Sequence, residues 1–264
     1  TSSYGPTDDR RIKPDLVAPG TDGGLGIWST TTNSTTGIST SYEQKAGTSM
    51  AAPLVGGLAA LIVEQLEKKS FEFFPHTVKA ILIHTAEDLD SKGPDYKTGW
   101  GLVNGKAAID LIKDSELINQ KHNMIITKFP TIIHDSLSTS DGEKKYSLKF
   151  NEFENLKVTL VWDDNENSLQ VESDSIQKLK NDLDLYVIDD KGKIIQRVLL
   201  PNDNGQYKYG NDDKNNVEMI YVENPTGLTH LKNMTNVVVS INNLLSTQDY
   251  TLIISGDPQP SPAQ

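Results

Sequence analysis

The sequence GTSMAAP occupies residues 47–53 and leads directly into an almost uninterrupted apolar segment, residues 54–63. Small residues followed by apolar ones predict a turn that opens a buried helix, which we expect from Thr48 to about Lys68. The N-terminus of a helix carries about half a positive elementary charge and unpaired backbone N–H groups. These groups can stabilise the negative oxygen that forms when a hydroxyl attacks a carbonyl carbon. Ser49 is therefore a candidate nucleophile, and the alternative is that it only caps the helix.

The residues around Ser49 favour the catalytic interpretation. Gly47 and Ala51 keep bulky side chains away from the hydroxyl and leave room for a substrate. Pro53 has no N–H, so it belongs in the first helical turn or at a kink near the start of the helix. The glycine pair at residues 56–57 is unfavourable in a helix, so we expect another backbone to approach closely there.

Further motifs on both sides of this segment give a resemblance to the subtilases, the subtilisin-like serine proteases. Several motifs in the family's order are more specific than any one of them alone. The resemblance implies an α/β fold at residues 1–114, namely the C-terminal half of a subtilisin-like domain. The motifs are SSYGP at 2–6 and KPDLVAPG at 13–20 (strand and turn), PHTVKAIL at 75–82 (next helix) and GWGLVN at 99–104 (closing turn).

The chain lacks the usual partners of such a serine in the family's order. A serine hydroxyl needs a base, usually His, and a carboxylate that orients this base. Subtilases carry them in the order Asp, His, Ser, whereas all five histidines of this chain follow Ser49. The resemblance therefore implies that the catalytic Asp and His, and the Asn of the oxyanion hole, precede Thr1. We expect the isolated chain to be inactive. A base within the chain is the alternative, with His84 as its candidate, although a packing or capping role is favoured for His84.

The residue pattern changes after about Asp114 from helical spacing to alternation of apolar and polar residues. Short alternating runs separated by turn signals indicate a β-sandwich, which we place at residues 115–264. The motifs LVWD (160–163), NDLDL (181–185) and NNVE (215–218) resemble the C-terminal β-domain of one branch of the subtilases. That branch comprises alkaline bacterial proteases with an appended jelly-roll or barrel. The alternating runs are residues 146–150, 158–162, 183–187, 237–241 and 250–254, and a hairpin turn is predicted at 190–193.

Acidic side chains in this second region predict a structural calcium site. Asp182 and Asp184 are two residues apart, so both point to one face of a strand. Asp212, Asp213 and Glu218 add oxygen atoms from a nearby loop. Calcium takes six to eight oxygen ligands, and the resemblance also suggests calcium in this domain. The alternative is a solvated loop, because Asp and Asn favour turns.

Composition narrows the class of protein. The 264 residues carry a formal charge of −11 and a pI of about 4.9, which argues against binding to nucleic acid or to an anionic membrane. The longest apolar stretch is, by our expectation, too short and too rich in glycine to cross a bilayer. The absence of cysteine excludes disulfides and thiolate metal sites but does not settle the compartment. We expect a secreted bacterial protein from the resemblance.

Two functions stay open on the sequence. The first is the serine-bearing part of a subtilisin-like endopeptidase, which cleaves protein or peptide substrates through an acyl-enzyme on Ser49. Its partner would be the upstream half of the same protease, and its chemistry would require no cofactor. The second is a catalytically inactive fragment or pseudoprotease. Its β-sandwich would act as a calcium-binding module for stability or interaction.

Overall fold

The structure is a computed structural model that describes residues 2–21, 24–32, 35–37, 41–89, 92–119, 124–149, 153–165, 179–201, 208–223 and 235–258. Its helices are α1 (Thr48–Lys68), α2 (Pro75–His84) and α3 (Gly105–Asp114). Its strands are β1 (Ile27–Thr31), β2 (Ser41–Lys45), β3 (Glu116–Asn119), β4 (Ile125–Ile126), β5 (Thr131–Leu137), β6 (Glu143–Leu148), β7 (Phe153–Trp162), β8 (Asp182–Ile188), β9 (Ile194–Leu200), β10 (Lys208–Gly210), β11 (Val217–Glu223), β12 (Asn236–Asn243) and β13 (Gln248–Pro258).

Helices α2 and α3 begin where local signals place them. Pro75 is the first residue of α2, where its missing N–H costs nothing. The Thr77 hydroxyl accepts a hydrogen bond from the backbone N–H of Phe74 at 3.2 Å and so closes the first turn. Asn104 caps α3, and its Oδ1 accepts a hydrogen bond from the N–H of Ala107 at 2.9 Å. The helix expected from the PHTVKAIL motif is therefore confirmed as α2.

Helix α1 has the predicted limits, but the expectation that it is buried is wrong for this chain. Only Leu58, Ile62 and Leu66 are buried along it, whereas Leu54 and Leu61 are 45% and 54% exposed. The expected close approach at residues 56–57 is also absent, because a Cβ atom built on either glycine would meet no described atom within 4 Å. The physical reason is that α3 and α2 pack along one side of α1. No described segment covers the other side.

Helix α1 also differs from our expectation about membranes. Among the described residues it is the one helix that is long and apolar enough to span a bilayer, with 21 residues and a mean hydropathy of 1.5. The two glycines do not offset the Leu, Ile, Val and Ala residues around them. A helix that is apolar on all sides is found both in membranes and in the cores of large soluble proteins, so these properties fit either setting.

The strand expected in the KPDLVAPG segment is reduced to a single parallel bridge between Val17 and Leu102. The N–H of Val17 donates to Gly101 O, and the N–H of Val103 donates to Val17 O, each at 3.0 Å. Strand β1 pairs with β2 as an antiparallel hairpin. This hairpin leads directly into the GTSMAAP turn.

Most of the strands lie in two larger sheets that enclose one apolar core. The six-stranded sheet has the order β10-β9-β8-β12-β6-β4, and the five-stranded sheet has the order β11-β7-β13-β5-β3. Neighbours are antiparallel except for the terminal pairs β4/β6 and β3/β5. On β7 the alternate residues Leu156, Val158, Leu160 and Trp162 point into the core between the sheets. Four of the five runs with predicted alternation lie entirely in strands. In the run 146–150, β6 ends at Leu148, residue 149 follows the strand, and residue 150 is outside the described residues.

A second apolar core joins the helices to the opposite face of the five-stranded sheet. It contains Ile81 and Ile83 of α2 together with Val161 of β7 and Ile253 of β13. Helix α2 packs directly on these two strands. The second core therefore includes residues on both sides of the boundary that we predict between residues 114 and 115.

A buried polar network ties the two large sheets together. Lys144 Nζ on β6 lies 2.7 Å from Asp135 Oδ1 on β5, and both side chains are less than 10% exposed. The hydroxyl of Tyr146 donates to Asp135 Oδ2 at 2.9 Å and lies 2.6 Å from the hydroxyl of Tyr250 on β13. Burial, then the neighbouring Tyr250 and Asp135, raise the pKa of Tyr146 well above its usual value. The phenol is therefore a hydrogen-bond donor at neutral pH.

Candidate active site

Ser49 is the second residue of α1, and its side chain is exposed to solvent. Gly47 occupies the N-cap position, and no side chain caps the helix. Among the described residues, neither the hydroxyl nor the N–H of Ser49 takes part in a hydrogen bond. The alternative that Ser49 serves as the helix cap is therefore wrong. Its hydroxyl lies instead at the open, positive end of the helix.

Two glycines hold this turn in place. Gly47 has φ of 141°, a conformation that favours glycine, and its carbonyl accepts a hydrogen bond from the N–H of Met50 at 3.0 Å. Its own N–H donates to Gly20 O at 2.9 Å. A Cβ atom at Gly20 would lie only 2.7 Å from Gly47 O, so this contact requires glycine. The Pro-Gly turn at residues 19–20 thus fixes the start of α1.

An open cavity of about 440 Å³ lies beside Ser49, between the start of α1 and the β1–β2 hairpin. Trp28 of β1, 62% exposed, forms one wall, and Met50 and Leu54 of α1 form the opposite wall. Lys45 at the end of β2 carries an exposed ion pair with Glu43 at 2.6 Å. An extended peptide can therefore reach the hydroxyl.

The histidine proposed as an alternative base is not available for this role. His84 is buried at the end of α2, with Nδ1 2.8 Å from the Thr159 hydroxyl and Nε2 2.9 Å from the Ser255 hydroxyl. Burial, aided by the charge of Lys157, lowers the pKa of His84 well below its usual value. Both ring nitrogens are engaged with the five-stranded sheet, which supports the packing interpretation.

The sequence did not predict a group of three stacked rings between the start of α2 and β5 of the five-stranded sheet. The rings of Phe74, His76 and His134 contact one another pairwise, with centroid distances of 5.4 Å (Phe74–His76), 4.3 Å (Phe74–His134) and 5.6 Å (His76–His134). His76 Nδ1 is 3.1 Å from Asp163 Oδ2, whereas neither ring nitrogen of His134 has a hydrogen-bond partner among the described residues. Burial lowers the pKa of both histidines. No local pattern reveals this group of rings, because His134 on β5 is far along the sequence from Phe74 and His76.

The structure brings four of the five predicted calcium ligands near one another. Glu218 is buried, and its Oε2 accepts a hydrogen bond from the N–H of Leu185 at 2.5 Å, whereas its Oε1 has no partner among the described residues. Burial first, and then the charges of Asp212, Asp184 and Asp182, raise the pKa of Glu218 well above its usual value. These carboxylates therefore repel one another across a dry region.

The same carboxylates do not form a complete cage. In the parts of the chain that the structure describes, no three His, Asp or Glu side chains are grouped closely enough to hold a metal ion. Asp212 accepts hydrogen bonds from Lys214 and Asn215. The exposed Asp213 pairs with Lys214 Nζ at 3.3 Å. The buried Oε1 of Glu218 is suited to a cation, but the predicted ligands together form only part of a calcium site.

The segment that contains Ser49 matches a known family. Residues 1–101 match the family model described as "Subtilase family". They include the turn, Ser49, α1, α2 and the first three of the six residues of the closing glycine turn. The first 101 residues of this chain are therefore a subtilase segment, as the motifs predict.

Individual relatives agree with this assignment. The chain is 27% identical over 181 residues to the PI-type proteinase of Lactococcus lactis subsp. cremoris, a match that covers 62% of this chain and 9% of that protein. It is 36% identical over 119 residues to Subtilisin-like protease SBT2.2 of Arabidopsis thaliana (38% and 13%) and 34% identical over 116 residues to C5a peptidase of Streptococcus pyogenes (40% and 9%). The chain thus spans less than a tenth of the length of the first curated relatives it matches.

Among solved structures, tripeptidyl peptidase 2 aligns with 82% of this chain and 27% of that chain at 10% identity. The TM-score is 0.22, so this likeness carries no argument about the fold.

Proposed function

We propose that this chain is the serine-bearing portion of a subtilisin-like endopeptidase, with Ser49 as the nucleophile. One observation carries the proposal: an exposed serine hydroxyl lies at the uncapped N-terminus of α1, within the segment that matches the subtilases. The relatives named above are proteases, so protein or peptide substrates are the class that the proposal implies.

The proposed chemistry assigns each group a role. Ser49 Oγ attacks the scissile carbonyl carbon and loses its proton to a histidine base, so a C–O bond forms and the carbonyl oxygen becomes negative. The backbone N–H of Ser49 donates to that oxygen at the helix N-terminus. The C–N bond then breaks, the amine leaves with the proton returned by the base, and water hydrolyses the acyl-enzyme.

The base, its carboxylate and a second oxyanion donor are proposed to come from polypeptide before Thr1. The uncovered side of α1 supports this proposal, because Leu54 and Leu61 are exposed and no described residue packs on residues 56–57. Gly-Gly on a helix surface allows another backbone to approach closely. We propose that the upstream half of the same protease covers this side.

The two large sheets are proposed to be the β-sandwich, or jelly-roll, domain of one branch of the subtilases. Their shared core supports this proposal. Calcium is proposed as its structural ion, held by Asp182, Asp184, Asp212 and Glu218 with further oxygen ligands from the backbone or water. When bound, calcium would neutralise the mutual repulsion of these carboxylates. Secretion from a bacterial cell is also proposed, because two of the relatives named above, the PI-type proteinase and C5a peptidase, are bacterial.

Labelling with a fluorophosphonate, which reacts with activated serines, tests the assignment of Ser49. The protein that includes the polypeptide before Thr1 should be labelled at Ser49, and Ser49→Ala should abolish both labelling and proteolysis without changing the melting temperature. The matched control Ser3→Ala, at an exposed serine outside the site, should be labelled like the wild type.

Two results would contradict the proposal. If the longer protein is folded and Ser49 stays unlabelled, the inactive-module alternative replaces the peptidase. If the 264-residue chain alone is labelled as fast as the longer protein, the base lies within this chain after all.

A further inference from the structure

A second cavity, of about 250 Å³, lies where the loop after α2 meets the helix-facing side of the five-stranded sheet. A liquid water occupies about 30 Å³, so this volume suits a small molecule rather than a peptide segment. The cavity is far from Ser49 in sequence, and the proposed peptidase chemistry does not use it. Its walls are mainly apolar, formed by Ala86, Gly93, Pro94, Trp100, Leu199 and Met219, with Lys157, Asp88 and Tyr221 as polar members.

Lys157 is the cation of this cavity. It lies on β7 between Leu156 and Val158, which point into the core between the sheets, so alternation turns Lys157 to the opposite, helix-facing side. Its Nζ is 5.7 Å from the centre of the Tyr221 ring, a cation–π contact. Among the described residues, no Asp or Glu oxygen lies within 4.0 Å of this ammonium group. An ammonium group against apolar walls therefore lacks a direct anionic partner.

The charged groups around Lys157 determine which kind of ligand would complement its ammonium group. Asp88, in the loop after α2, acts on Lys157 only through space, and its Oδ2 already accepts a hydrogen bond from the N–H of Gly93 at 2.7 Å. His84 of α2 is buried and engaged with Thr159 and Ser255. Burial lowers the pKa of Lys157 to about 8, and the charge of Asp88 opposes that shift. At neutral pH the amine is mostly protonated, and Asp88 compensates its positive charge only in part.

We propose that this cavity binds a small monocarboxylate with an apolar body. The carboxylate pairs with Lys157 Nζ, and the apolar part lies against Trp100, Leu199 and Met219. A charge-assisted hydrogen bond between largely apolar walls is stronger than one in water. The negative charge of Asp88 disfavours a second carboxylate on the ligand, which is why a monocarboxylate is specified. The inference does not depend on the proposed peptidase.

Isothermal titration calorimetry with 4-methylpentanoate as the probe tests this site, and 4-methylpentanamide is its neutral counterpart. The carboxylate should bind saturably at pH 7, and the amide should bind at least tenfold more weakly. Lys157→Met, which keeps an unbranched side chain one atom shorter and removes the charge, should weaken binding of the carboxylate at least tenfold. Asp88→Asn should strengthen that binding, because it removes the competing negative charge. Lys145→Met, an exposed lysine on β6, is the matched control and should bind like the wild type.

The pH profile gives an independent readout. Affinity for the carboxylate should fall as the pH rises through about 8, because the Lys157 amine then loses its proton. The proposal is overturned if the carboxylate shows no saturable binding, if acid and amide bind equally, or if Lys157→Met binds like the wild type. Asp88 is exposed, so Asp88→Asn tests the charge argument even if Lys157→Met fails to fold. Unchanged or weaker binding in Asp88→Asn contradicts that argument.

Discussion

Replacing His84 by Gln should reduce the sensitivity of folding stability to acid. The imidazole is 4% exposed, and both ring nitrogens are hydrogen-bonded to hydroxyls of Thr159 and Ser255. Burial keeps its pKa well below the usual 6.5, so His84 is neutral in the folded protein, whereas it titrates near 6.5 in the unfolded chain. Glutamine keeps an amide for hydrogen bonding and has no group that titrates.

The sign and size of the effect follow from proton linkage. Below about pH 6.5 the unfolded chain binds a proton that the folded protein does not bind, so stability is complete above this pH and is lost as the pH falls towards the lowered pKa. Acidification from about pH 7.5 to about 5.5 therefore costs the wild type about 1.4 kcal/mol through His84 alone. His76 and His134 act in the same direction, since burial also lowers their pKa values. The variant therefore keeps part of the pH dependence.

Urea unfolding at the two pH values measures this difference directly. The free energy of unfolding of His84→Gln should fall by about 1.4 kcal/mol less than that of the wild type over this interval. The comparison is between pH values, so a constant destabilisation of the variant cancels. Asn104→Ala is the control, because it lacks a helix cap but keeps every histidine and should retain the wild-type pH dependence. If His84→Gln loses as much stability on acidification as the wild type, the reasoning is refuted.

Three further predictions concern the fold and the metal. Asp135→Asn should cost about 3–5 kcal/mol of unfolding free energy, because it leaves the charge of Lys144 buried without its carboxylate. The exposed ion pair of Lys145 should be worth less than about 1 kcal/mol, so equal losses in Asp135→Asn and Lys145→Met would contradict this assignment. Asn104→Ala should cost about 1 kcal/mol, and no change in urea midpoint would show that its cap is not used. A calcium chelator should lower the melting temperature of the wild type but not of Glu218→Gln. If the wild type and the variant give equal melting curves with and without chelator, the calcium proposal is wrong.

Elements with local signals were predictable from the sequence. Proline at position 75 and asparagine at position 104 mark helix starts through their own backbone and side-chain chemistry. Alternation of apolar and polar residues predicted β7, β8 and β13, because apolar residues at every second position indicate a strand with one buried face. The position of Ser49 was predictable for the same reason, since the turn and the helix that place it are adjacent in sequence.

Features that depend on distant partners were not predictable. The apolar composition of α1 indicates a helix that needs covering, but it does not say whether the covering segment lies in the same chain. Lys157 and Asp88 come together only because α2 docks on the sheet, and single-sequence patterns carry no information on that docking. The Asp135–Lys144 pair escaped notice because a polar residue within an alternating strand normally indicates the solvent side.

The second apolar core, between α2 and the five-stranded sheet, limits where the chain can be truncated. Cutting the chain after Asp114 would leave Ile81 and Ile83 facing water and would strip His84 of both hydroxyl partners. The five-stranded sheet would in turn expose Val161 and Ile253 as an apolar surface that promotes aggregation. A shortened chain that ends with α3 is therefore expected to aggregate. We expect the strands to support the three helices rather than to be separable from them.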